Sequence, residues 1–261
     1  MTAAKPKLGQ HFLTAPSYAK RIAESIPAGT GERVLEIGAG TGALSIYIQS
    51  RFPDFHLVEL DRNLITRLRE KLGKGSWTLH AADVLKLDFS EIGFPLHVAG
   101  NLPYGLTGAI VRKTLMYGSA IASCTFMVQR EVAQRITGGF GTRGCGFLTV
   151  FCNYFGVPRM LFHVPPGAFF PPPKVRSSVF RIIIQPEFAA RLPRAQWEDF
   201  FGFVSTGFMQ RRKKLVKALR GRVDTKRCVE ALQVAGLDES VRAERLTTEQ
   251  WVEIYRMVRG A

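Results

Sequence analysis

The chain has 261 residues, 46% of them hydrophobic, and a formal net charge of +15 from 36 basic and 21 acidic residues. That length suits one large core, or a main domain with a small companion. No apolar run approaches the ~20 residues that cross a bilayer. No apolar stretch follows Lys5 and Lys7, so no secretory leader is expected and the protein reads as cytoplasmic.

The cysteines, Cys124, Cys145, Cys152 and Cys228, form no C-x-x-C pair, and the five histidines are scattered. Structural metal is therefore not expected, and the thiols read as reduced core residues. The charge is uneven along the chain. Residues 101–183 carry nine bases and a single acid, Glu131. A segment so poor in carboxylates suits a surface that faces a polyanion such as nucleic acid.

Taken in chain order, Arg33–Ile37 reads as a buried strand, followed by a glycine turn and a helix from about Ala43 to Ser50. Phe55–Glu59 is a second strand with a charged helix behind it through Leu72. Trp77–Ala81 and Phe94–Ala99 are a third and a fourth strand. This strand–helix alternation predicts a mostly parallel sheet with helices on both faces. Cys124–Val128 is a fifth strand, leading into a helix near Glu131–Ile136. Glycines 138, 139, 141, 144 and 146 make a loop that carries Arg143. Phe147–Phe155 and Val175–Ile184 read as two more strands, joined by a proline-rich loop. Gln185-Pro186 marks a boundary. Beyond it helices are expected at Trp197–Met209, Arg211–Leu219, Lys226–Ala235 and Thr248–Val258. The expected domains are 1–185 and an all-α 186–261.

Three features converge on a ligand site. The run Glu36-Ile37-Gly38-Ala39-Gly40-Thr41-Gly42 leaves the first strand and opens a helix. Its glycines let the backbone come close to a ligand. Glu59 ends the second strand, where a carboxylate accepts from ribose hydroxyls. Asp83 follows the third strand, where a base edge would lie. Gly38-x-Gly40-x-x-Ala43 also fits a dinucleotide fingerprint, so NAD is a competing ligand. Glu36, just before the loop, suits a cationic methionyl group better than a pyrophosphate.

Asn101-Leu102-Pro103-Tyr104 follows the fourth strand. This tetrapeptide suits methylation of an amino group on a planar base. The Asn101 side-chain oxygen and the Leu102 carbonyl each accept one amino hydrogen, which localises a lone pair otherwise delocalised into the ring. Pro103 fixes the direction of the Leu102 carbonyl. Tyr104 offers a face for base stacking, worth ~1–3 kcal/mol. Phe169, before the prolines 171–173, is expected as the opposite jaw around an extruded base. Lys174, Arg176, Arg143 and the run Arg211-Arg212-Lys213-Lys214 are the expected phosphate contacts.

With these residues in order, the chain resembles the KsgA (RsmA) family of small-subunit ribosomal RNA adenine dimethyltransferases. The resemblance runs from Gly9-Gln10-His11-Phe12-Leu13 through Glu36–Gly42, Val58–Asp61, Asp83, Asn101–Tyr104, Phe126–Val132 and Phe169–Val175 to Gln210–Lys213. It implies a Rossmann-like class I methyltransferase sheet with an antiparallel last strand, and S-adenosylmethionine as cofactor. It implies dimethylation at N6 of two adjacent adenosines near the 3′ end of 16S RNA, on 30S assembly intermediates, by a monomeric enzyme. It also implies cofactor contacts at His11, Leu13, Gly38, Glu59, Asp83 and Asn101, to which the reading of the residues adds Glu36 and Gly40. His11 stands where the family commonly has Asn, Gly105 where it has Asn, and Cys145 where it has Tyr.

Overall fold

The computed structural model describes residues 11–260. Lys5, Lys7, Gly9 and Gln10, on which the leader reading and part of the resemblance rest, lie outside them. The chain divides into two compact units, Met1–Ala133 with Pro158–Ile184, and Gln134–Val157 with Gln185–Ala261.

The first unit contains a seven-stranded sheet. Its strands are β2 (Arg33–Ile37), β3 (Phe55–Val58), β4 (Trp77–His80), β5 (Leu96–Asn101), β6 (Ile121–Gln129), β7 (Arg159–Val164) and β9 (Ser177–Ile183), in the order β4-β3-β2-β5-β6-β9-β7. β4, β3, β2, β5 and β6 run parallel. β9 runs against β6, and β7 against β9. Val34, Leu35 and Ile37 are fully buried, as a central parallel strand covered on both faces requires. A two-stranded ribbon of β1 (Phe12–Leu13) and β8 (Phe169–Phe170) completes the strands.

The helices of this unit bury one stripe each. α1 (Pro16–Glu24) starts with proline at its first turn and buries Ala19, Ile22 and Ala23. α2 (Ser45–Gln49) is short. α3 (Arg62–Leu72) is capped by Asp61, which accepts from the Asn63 amide, and buries Leu64, Ile65, Leu68 and Leu72 at helical spacing. α4 (Thr107–Leu115) follows the turn after β5. Neither α1 nor α4 is among the helices expected from the residues.

The chain moves from β2 outward to β3 and β4, then returns to place β5 on the other side of β2. Strand order thus reverses between β2 and β5, and open α/β sheets bind ligands beyond the carboxyl ends of the strands at such a point. Gly100 makes this junction possible. A Cβ there would overlap the Ile37 carbonyl oxygen. Gly100→Ala is expected to force β5 away from β2. The measurable result is a loss of about 2–3 kcal/mol or more in chemical denaturation, or insoluble protein.

Two expected elements are corrected. Phe147–Phe155 is not a strand but the helix α6, in the second unit. The run is apolar almost without interruption, so periodicity alone does not decide its type. A helix wins because aromatic residues of the same unit surround it. Phe151 meets Phe201 at 4.5 Å between ring centroids, and Phe155 meets Trp197 at 5.2 Å. Thr149 closes its first turn, its hydroxyl accepting from the Gly146 amide and its own amide donating to the Gly146 carbonyl. The outer strand expected there is instead Arg159–Val164, bracketed by Pro158 and Pro165. Of the expected first domain, residues 134–157 belong to the second unit, while the expected boundary lies one residue from the observed break at Ile184–Gln185.

In the second unit, α8 (Trp197–Met209), α10 (Thr225–Val234) and α11 (Thr248–Arg259) match their expected spans within a residue. The expected helix Arg211–Leu219 shrinks to α9 (Leu215–Ala218), and the basic run becomes a turn. The Arg211 guanidinium donates to the carbonyls of Arg143 (3.0 Å) and Cys145 (2.7 Å), a tie that a helix starting at Arg211 does not need. The other helices are α5 (Arg130–Thr137), which straddles the two units, and α7 (Pro186–Ala189).

Candidate active site

The loop after β2 is held in place by the end of β3. The Gly38 amide donates to the Val58 carbonyl at 2.9 Å. Gly40 takes φ +57, and a Cβ on it would sit 3.4 Å from the Phe12 ring, so the loop lies directly against β1. Glu59, nearly buried, locks the same loop from below. Its Oε2 accepts from the Gly40 amide at 2.9 Å, and its Oε1 accepts from the Leu60 and Asp61 amides at 2.8 and 2.9 Å. Three backbone donors fix the carboxylate's rotamer and leave Oε2 with capacity for another donor.

Glu36 lies deeper, 2% exposed, on the face of a cavity shared with Phe12, Leu13, Gly38, Gly40 and Asn101. Its Oε2 has no hydrogen-bond partner. Burial raises its pKa from 4.5 to about 8, and the nearby Glu59 charge pushes the same way. The Ser45 hydroxyl and the Lys71 ammonium act in the opposite sense. A buried carboxyl with an unused oxygen is a site for a donor or cation. Lys71 is committed elsewhere, donating to the Thr41 carbonyl at 3.0 Å. Asp83 has its Oδ1 fixed by the Leu85 amide at 2.9 Å.

Across from the glycine loop, the end of β5 carries the expected tetrapeptide. Asn101 Nδ2 donates to the His11 carbonyl at 3.2 Å, which spends the amide's donor side on the protein and sets the direction of Oδ1. Leu102 is buried, its amide bonded to the Met127 carbonyl. Pro103 is extended (φ −60, ψ 129). Its carbonyl is taken by the Leu106 amide and the Thr107 hydroxyl, which start α4. Tyr104 is half-buried, and its hydroxyl meets Ser177 Oγ at 2.8 Å. His11 Nδ1 donates to the Pro171 carbonyl at 2.8 Å, and its ring sits 5.5 Å from that of Tyr104, tilted by 33°.

One cleft is therefore lined by His11, Gly38, Gly40, Glu59, Asn101, Leu102, Pro103 and Tyr104 together. Leu13 and Glu36 line the adjoining cavity. Phe12 and Leu64, not singled out from the sequence, line the cleft as well. Phe12 lies inside the quoted His11-Phe12-Leu13 run. Leu64 carried no signal beyond an ordinary helix stripe.

Phe169 is a correction. It is 4% exposed and belongs to the hydrophobic core with Leu13, Ala168 and Val164. In β8 the side chains alternate, so Phe169, opposite Leu13, turns inward. Phe170, opposite Phe12, is 61% exposed. The outward aromatic of β8 is Phe170. Lys174 and Arg176 of the first unit are exposed, as are Arg143 and Arg211–Lys214 of the second. Among the described residues no group of three acidic, histidine or cysteine side chains is placed to hold a metal, and no helix is long and apolar enough to cross a membrane.

A model of the family described as "Ribosomal RNA adenine dimethylase" matches residues 1–259. The chain belongs to this family. It is 38% identical over 253 residues to "Ribosomal RNA small subunit methyltransferase A" of Aromatoleum aromaticum, covering 96% of this chain and 92% of that one. The protein of the same name from Alcanivorax borkumensis is 35% identical over 258 residues, covering 98% and 90%. Among solved structures, the 23S rRNA methyltransferase ErmE superposes with a TM-score of 0.73 at 26% identity, covering 95% of this chain and 99% of that one. A dimethyladenosine transferase from Plasmodium falciparum shares the fold, with a TM-score of 0.80 at 19% identity over 94% and 96% of the two chains. A dehydrogenase reading of the glycine loop is set aside by family membership.

Proposed function

We propose that the protein transfers methyl groups from S-adenosylmethionine to the N6 amino group of adenosines in small-subunit ribosomal RNA, two on each of two adjacent adenosines near the 3′ end. The carrying observation is the convergence of Asn101–Tyr104, the glycine loop and two buried carboxylates, Glu59 in the cleft and Glu36 in the cavity adjoining it, at the β2/β5 switch point.

The residues present fit the cofactor. Glu36 supplies a buried acceptor with an unused oxygen, Gly38 and Gly40 a cradle without side chains, and Glu59 an oriented carboxylate. Asp83 and the His11–Leu13 segment would complete the holding set. When bound, S-adenosylmethionine supplies an electrophilic methyl carbon. The protein prepares the nucleophile. Asn101 Oδ1 and the Leu102 carbonyl accept the two amino hydrogens of adenine and draw the nitrogen's lone pair out of the ring. Tyr104 takes the base on its face. Catalysis is then positioning and electrostatic preorganisation, with no strong base required.

Phe170, rather than Phe169, is the exposed aromatic of β8 that a nucleotide would reach, and the exposed Lys174 and Arg176 that follow it would contact phosphates. Phe170→Ala is expected to weaken RNA binding about fivefold or more with little change in thermal stability. Phe169→Ala is expected to cost about 3 kcal/mol of stability, as a core cavity does. Equilibrium RNA binding and melting curves of the two variants distinguish them.

The test of function is methyl incorporation from labelled S-adenosylmethionine into under-methylated small subunits. Incorporation there supports the reading. Incorporation only into naked large-subunit RNA would replace it with the activity that the ErmE likeness suggests.

A further inference from the structure

Ser177 is fully buried and opens β9. Its backbone lies in register with Gln129 of β6 on one side and Val164 of β7 on the other. It is therefore a fixed point of the sheet. Tyr104, by contrast, sits in a short turn between exposed Pro103 and exposed Gly105. A Cβ at residue 105 would touch nothing within 4 Å, so no packing on that side restrains the turn. Two contacts orient the tyrosine ring: the tilted His11 ring at 5.5 Å and the hydroxyl bond to Ser177 Oγ at 2.8 Å.

Resting on the adenine-methylation reading above, we propose that Ser177 is a positioning residue for the reaction: it ties the Tyr104 hydroxyl to the sheet and so holds the ring at the angle at which the substrate base stacks. Burial raises the pKa of the Tyr104 phenol above its ordinary value, so the hydroxyl stays protonated at neutral pH. A serine here acts only through Tyr104. Ser177 lines neither the cleft nor the adjoining cavity. Its loss lets the ring turn and dilutes the stacking-competent population before the base arrives.

The test is a double-mutant cycle on single-turnover methylation of small-subunit RNA, with cofactor affinity measured alongside. Ser177→Ala and Tyr104→Phe are each expected to slow methyl transfer about five- to tenfold, the worth of one buried hydrogen bond. The double variant is expected to be no slower than either single variant, because both remove the same bond. Ser177→Thr, which keeps the hydroxyl, is expected to stay near the wild-type rate. Cofactor affinity is expected to hold within about twofold. Multiplying losses in the double variant, or an unchanged rate in Ser177→Ala, would overturn the proposal. If Ser177→Ala does not fold, an unchanged rate in Tyr104→Phe overturns it instead. Wild-type protein that methylates no adenine in the same assay would remove the functional reading itself, whereas active wild type with multiplying losses removes only the role of Ser177.

Discussion

Asn101→Ala is expected to lower the methyl-transfer rate about 10²–10³-fold, the range for loss of one preorganised polar group at a reacting centre. The structure divides the side chain's work between its two atoms. Nδ2 is spent on the His11 carbonyl, so Oδ1 is the atom left for the substrate amine. Asn101→Asp separates the roles. It keeps an acceptor toward the amine but sets a carboxylate against the His11 carbonyl, so the β1 segment is expected to loosen. Alanine is therefore expected to slow turnover with cofactor affinity within a few fold. Aspartate is expected to weaken cofactor affinity more than alanine does. Single-turnover rates and calorimetric affinities for the pair check this. A large affinity loss in the alanine variant with normal turnover would assign Asn101 to cofactor binding instead.

Glu36→Gln is the second large effect, and it has opposite signs for stability and for binding. The folded protein holds the Glu36 proton up to about pH 8, whereas an ordinary glutamate releases it near 4.5. The folded state therefore binds more protons than the unfolded state across that window. This carboxyl's contribution to stability is greatest below pH 4.5 and falls as pH rises toward 8, by at most about 1.4 kcal/mol per pH unit. Glutamine has no such dependence. Without cofactor, Glu36→Gln is expected to match the wild type near pH 5 and exceed it by several kcal/mol at pH 8.5. Parallel denaturation curves for the two proteins across this range would show that Glu36 is not the buried acid described.

Binding runs the other way. Burial holds the Glu36 proton well above the usual carboxylate range, and the carboxyl is expected to give it up when a cationic group enters its cavity. Cofactor binding by the wild type is expected to release a proton, seen as a heat that depends on the ionisation enthalpy of the buffer. Glu36→Gln is expected to show no such release and about 10–100-fold weaker binding, as loss of a charge-assisted hydrogen bond implies.

The meeting of the glycine loop, Glu36, Glu59 and the Asn101 tetrapeptide was legible as a place in the fold, because each stands at a strand end and chain order brings those ends together; Asp83, at the end of the outer strand, lines neither the cleft nor the adjoining cavity. The strands β2, β3, β5 and β6 were legible because buried parallel strands carry dense apolar runs. Three features resisted reading, each for a physical cause. Phe147–Phe155 is apolar around its whole circumference, and only the aromatic shell of its own unit decides for helix. Phe169-Phe170 is a pair of identical residues, so which one faces inward is fixed by the register with Leu13 and Phe12, not by composition. Gly100 and Ser177 owe their importance to an approach across the sheet, of β2 in one case and of Tyr104 in the other, which no local pattern records.

Mass spectrometry of nucleosides and of RNase fragments from small-subunit RNA, after incubation of under-methylated subunits with the protein and S-adenosylmethionine, reads both the modified base and its position. The expected product is N6,N6-dimethyladenosine at two adjacent positions near the 3′ end, absent when Asn101→Ala replaces the wild type for the same time. Methyl groups on another base, on ribose, or on no nucleoside at all would contradict it.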